Sequence, residues 1–141
     1  CRHVEELEKV GMTENMSIRQ LELFADVYAK LRVARKATPN RADEGQKWSL
    51  KALKVYKQNP KAKFGQIVRV EHGTPRRQFA RNVQRLYKSN KLTKTTMNNL
   101  VSRKWKLAVI SLDEDKALNK KFRSTEFKTP EKRWDAAGIK F

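Results

Sequence analysis

Apolar residues recur at steps of three and four through Ile18, Leu21, Phe24, Tyr28 and Leu31, which places them on one stripe of a helix. Ser17 and Gln20 have capping-box spacing just ahead of that stripe, so the pattern predicts a helix over 17–37. Thr38-Pro39 ends it, because the residue before proline avoids helical backbone. A polar loop follows over 40–45. A second helix is expected over 44–58, with Asp43 as N-cap and Trp48, Ala52, Val55 and Tyr56 inward. Asn59-Pro60 stops it.

The period then changes. Ile67, Val68 and Val70 are β-branched and too few for a helix, which predicts a strand over 64–72. Thr74 as N-cap and Pro75 at the first position open a third helix that runs to Ser89. Phe79, Val83 and Leu86 form its apolar stripe, and Asn90 suits a left-handed terminal residue. A weaker helix over 95–103 carries Met97, Leu100 and Val101. A second strand is expected over 107–110. Ser111 and Glu114 repeat the capping-box spacing and open a helix to Lys121, with Leu118 and Phe122 inward. After a loop over 123–129, Thr129-Pro130 starts a last helical turn carrying Trp134.

The expected fold class is α+β, predominantly helical: a single compact domain with about five helices and a short two-stranded β element. The length of 141 residues suits one domain. Residues 1–16 read as an N-terminal flank or fragment end, and 17–141 as the domain. The chain begins with Cys1, and Met12 or Met16 would serve as a natural start. With one cysteine there is no intramolecular disulfide, which fits a reducing compartment. No apolar run reaches the ~20 residues of a membrane span. The expected setting is cytoplasmic, acting on intracellular nucleic acid, with delivery as part of a larger protein as the alternative.

Charge changes the picture. Of the net +18, residues 46–111 supply +16, from seventeen Lys or Arg and one acid, Glu71. Such density repels itself unless an anion compensates, and a pI near 10.3 marks a nucleic-acid binder. An anionic membrane surface or an acidic protein is the other possible source of compensation. On the expected helices, Lys47, Lys51 and Lys54 form one basic row, and Arg77, Arg81, Arg85 and Lys88 another. Such rows suit a phosphate backbone; each alone also reads as an ordinary solvated face. Trp48, Tyr87 and Trp105 are either base-stacking platforms or core. The third and fourth helices together read as helix-turn-helix-like. The second of that pair carries Asn98, Asn99 and Arg103 among Thr95, Thr96 and Ser102 as groove-reading side chains.

The lone acid adjoins His72 at a strand end, followed by Gly73 and a helix N-terminus that favours anions. A histidine there can act as general base on water or on a ribose 2′-hydroxyl. Arg76 and Arg77 can stabilise the charge that builds on the phosphate. Glu71 can orient the imidazole, hold a metal, take the proton, or only neutralise an arginine. The acidic run Asp113-Glu114-Asp115 is a second place for Mg²⁺, or simply dipole-complementing acids in a first helical turn.

Over Val70 to Arg85, strand, Glu71-His72, Pro75 and Asn82 resemble the first half of the HNH-type nuclease motif. The closing His has no counterpart, the other histidine being His3. The resemblance implies a divalent metal such as Mg²⁺ on Glu71, His72 as the base that activates water, and Asn82 as the middle Asn. The leading expectation is a nucleic-acid-binding domain that cleaves phosphodiesters, toxin-like or phage- or plasmid-borne. Glu71, His72 and Arg76 are its catalytic set, and an acidic inhibitor protein is its partner if it is a toxin. The alternatives are a non-catalytic DNA-binding regulator and a nucleoprotein packaging component.

Overall fold

The computed structural model describes residues 2–28, 39 and 47–141. Its elements in chain order are α1 (Arg2–Lys9), α2 (Glu14–Tyr28), β1 (Lys47–Trp48), α3 (Leu50–Gln58), α4 (Phe64–Ile67) and β2 (Val68–His72). Then come α5 (Arg76–Lys88), α6 (Lys94–Lys104), β3 (Leu107–Ser111), α7 (Leu112–Phe122) and α8 (Pro130–Ala136). The class is α+β and mainly helical, as the periodicity implies.

The sheet has the order β1-β3-β2. The two expected strands pair antiparallel, with Val70 opposite Val109 and His72 opposite Leu107, while β1 joins β3 in parallel. All five residues of β3 are buried, as a strand covered on both faces requires. Ala108 and Ile110 meet Leu118, Trp134 and Ile139 from α7, α8 and the tail. Val109 points the other way, with Trp48, Ala52 and Val68. A third cluster joins Val4, Ile18 and Leu21 to Phe79, Val83 and Trp105, which ties α1 and α2 to α5 and α6. Complete burial of a side chain such as Phe79 contributes roughly 1.5–3 kcal/mol. The first sixteen residues, expected as a flank, thus supply α1 and the start of α2, with Val4 in the core.

Several local expectations are corrected. α2 starts at Glu14, because Thr13 rather than Ser17 receives the first-turn bonds. Its Oγ1 accepts the Met16 N–H at 3.4 Å, and its carbonyl accepts the Ser17 hydroxyl at 3.3 Å. Phe24 is 64% exposed, since Ala25 occupies the inward position beside Ile18 and Leu21. Lys47 and Trp48 are strand, not helix: pairing with Ala108 and Val109 outweighs helical propensity there. Ser49 caps α3, its Oγ accepting the Ala52 N–H at 3.0 Å. Residues 64–67 make a helical turn instead of extending the strand. The Gln66 side chain closes that turn by accepting the Lys63 N–H at 2.9 Å. Pro75, not Thr74, occupies the N-cap of α5, and Thr74 is fully buried.

Other expectations hold. Asn90 has φ 55°, Ser111 and Glu114 form the capping box, and Thr129 caps α8 ahead of Pro130. The expected helix end at Ala37, the 40–45 loop, the Asp43 cap, Leu31 and the Tyr28 side chain lie outside the described residues.

Candidate functional site

β2 delivers His72 and stops. The next residue turns the chain, its N–H donating to the Lys106 carbonyl at 2.9 Å. That residue is Gly73 because α8 lies against it: a Cβ there would sit 2.2 Å from Pro130 Cβ. α5 begins three residues later, so Arg76 stands beside the imidazole.

A third residue, from α2, joins them. Asp26 Oδ1 is 2.9 Å from His72 Nε2, and Asp26 Oδ2 accepts from Arg76 Nη1 at 2.6 Å. The His72 ring also packs on Trp105, with centroids 5.1 Å apart. One buried carboxylate thereby fixes both an imidazole and a guanidinium. Burial is the largest single influence on Asp26 and pushes its carboxyl up. The His72 ring and the Arg76 guanidinium together outweigh it, so the net shift is downward. A carboxyl lowered by folding contributes stability that is present above its unfolded pKa and lost as pH falls through the folded one. Asp26→Asn is therefore expected to flatten the acid limb of stability. Urea midpoints should fall less steeply below about pH 4 in the variant than in the native chain. Parallel acid limbs would rule this out.

Glu71 has a separate partner. Arg133 Nε donates to its Oε1 at 3.1 Å, and Arg133 Nη1 donates to the Phe122 and Thr125 carbonyls at 2.5 and 3.0 Å. Both side chains are buried. Burial pushes the Glu71 carboxyl up, Arg133 and His72 offset this only in part, and Asp115 adds to it. Of the open roles, neutralising an arginine is the one the geometry displays. Orienting the imidazole falls to Asp26.

Above these residues lies a cleft of about 640 Å³. Arg76, Arg77 and Arg81 line it from α5, Arg123 from the end of α7, and Arg133 from α8. The N-cap of α5 supplies no side-chain acceptor, so its first N–H groups and dipole add to the positive field. Glu22 and Glu71 are the acids on its wall.

The other expected residues are placed apart. Arg85, Asn99 and Arg103 line a second cleft of about 390 Å³ with Lys104 and Glu126. Asn82 belongs there too, donating to Glu126 at 3.0 Å, so it is not brought to His72. Lys88 is exposed near the end of α5, and Asn98 is exposed on α6. Thr96 is committed to the Thr93 cap and the Lys91 carbonyl. Lys47 on β1 and Lys51 and Lys54 on α3 are exposed and line neither cleft. They do not form one helical row, because Lys47 is in a strand. Trp48 and Trp105 are core, and Tyr87 donates its hydroxyl to Glu5 at 2.6 Å. Glu114 is buried, accepting from the Ser49 hydroxyl at 2.6 Å and the Ser111 N–H at 2.9 Å, a structural tie between two helix starts. Among the described residues, no three His, Cys, Asp or Glu side chains group as metal ligands.

Sequence reasoning missed Asp26, Arg123 and Arg133. Asp26 carried a signal, since it falls beside Ala25 on the face that buries Ile18 and Leu21. The two arginines carried none, lying in a segment whose charges nearly balance.

Fold and site together define an α+β protein with a small mixed sheet and an arginine-lined cleft over a carboxylate-pinned histidine. No family model, curated protein or solved structure matches the chain.

Proposed function

We propose that this chain binds nucleic acid with a phosphate seated in the arginine-lined cleft, and that it cleaves the phosphodiester there. The observation that carries the reading is the shared hold of Asp26 on His72 and Arg76 at a cleft with four further arginines on its wall. Arginines present planar, permanently charged donors that match phosphate. Asp26 occupies Nε2, which leaves Nδ1 as the nitrogen for proton transfer. In the reaction, the imidazole takes the proton from a ribose 2′-hydroxyl or a water. The freed oxygen bonds to phosphorus, and the bond to the leaving oxygen breaks. The leaving oxygen takes a proton from solvent. Arg76 and Arg77 hold the negative charge that builds on the phosphoryl oxygens. The HNH-type resemblance does not carry this reading, because Asn82 lies in the other cleft and Glu71 is given to Arg133.

The test is incubation of the pure protein with labelled single- and double-stranded RNA and DNA, with and without Mg²⁺. Expected are binding that weakens steeply with salt, as phosphate contacts require, and chain scission. Binding without scission leaves a regulator or packaging protein. Absence of binding even in dilute buffer overturns the proposal.

A further inference from the structure

A third cleft, of about 590 Å³, adjoins the first and shares Glu22, Arg76 and Arg77 with it. Its own wall is different in kind. Met16 and Leu23 on α2 line it while 53% and 58% exposed, and Ile18 lies behind them. Arg19 adds a cation, and Arg77 is hydrogen-bonded to the Asn15 side chain, which fixes the guanidinium between the two clefts. Exposed apolar side chains rimmed by polar groups mark a contact surface. This one continues from the phosphate cleft, and that continuity determines what can occupy it.

We propose that the Met16–Leu23 cleft is a base-binding subsite, so that the chain takes single-stranded nucleic acid. This rests on the phosphate-binding reading of the first cleft. A strand with one phosphate among Arg76, Arg77 and Arg81 must send its neighbouring base across the shared wall. In a duplex that base is stacked and paired, and its flat faces are covered. In a single strand it is splayed and free to lie on apolar side chains or on a guanidinium plane. Glu22 stands on the shared wall that the base crosses, where its carboxylate can accept from the amino groups of bases. Each cleft falls within the range of about 300–1,000 Å³ typical of small-ligand sites.

The experiment measures the affinity of a fluorescein-labelled 12-residue RNA, its duplex form and heparin for the native chain and for Met16→Ser/Leu23→Ser. Both positions are exposed, and matching thermal melts confirm that the variant folds. Expected is a single strand bound more tightly than the duplex. The double substitution should weaken the single strand about tenfold, by removing apolar contact with the base, and change heparin affinity less than twofold. Equal affinity for both RNA forms, or a single strand indifferent to the substitutions while heparin still binds, overturns the base subsite and leaves the phosphate reading standing. A native chain that binds neither heparin nor RNA overturns both.

Discussion

His72→Ala is expected to lower the rate of phosphodiester cleavage by roughly 10²–10⁴-fold, the usual worth of a positioned general base, with affinity for the uncut strand retained. The separation of rate from affinity follows from the site. The imidazole sits low in the cleft, with a side-chain exposure of 17%, whereas the proposed phosphate contacts belong to the surrounding arginines. Removing the ring leaves Asp26 bonded to Arg76, so the cation remains in place. Single-turnover rates and anisotropy titrations on the same preparation check this. Unimpaired cleavage would remove His72 from the mechanism. A parallel loss of rate and binding would place it in the phosphate seat instead.

Arg133→Ala is expected to cost about 3–5 kcal/mol of folding stability, the usual penalty when one partner of a buried ion pair is deleted. The change strands Glu71 beneath the sheet edge, removes the guanidinium donor from the Thr125 carbonyl and leaves the Phe122 carbonyl with the Thr125 N–H. Because burial already pushes Glu71 up, loss of the guanidinium should drive it further toward the neutral form. The deficit should therefore shrink toward acid pH, and urea unfolding at two pH values reads this directly. A loss below about 1 kcal/mol at neutral pH would mean that the pair is solvated and carries little of the fold.

The apolar period of α5 was legible in the chain, and so were the caps at Ser111 and Thr129, which rest on one side chain. The α5 stripe, the Asn90 turn and the Ser111-Glu114 box depend on neighbours three or four residues away, and sequence spacing encodes those. What escaped depends on tertiary partners. Lys47 and Trp48 are strand only because β3 lies alongside them. Ser49 caps α3 in a setting where Glu114 also binds its hydroxyl. In the site, His72 and Arg76 were visible as a strand-end and helix-start pair, but the acid that orients them stands 46 and 50 residues away in sequence. The basic rows were read as phosphate-facing ridges. The structure divides α5's row, with Arg77 and Arg81 at one cleft and Arg85 at another, and sets the lysines of α3 in a different layer.

The bend after β2 accepts a single amino acid for reasons of space, since even a methyl group at Gly73 would collide with Pro130 and Trp134. Invariance at that position in any kindred chain would thus report the seating of a terminal helix. It would carry no information about reactivity, despite standing next to the histidine.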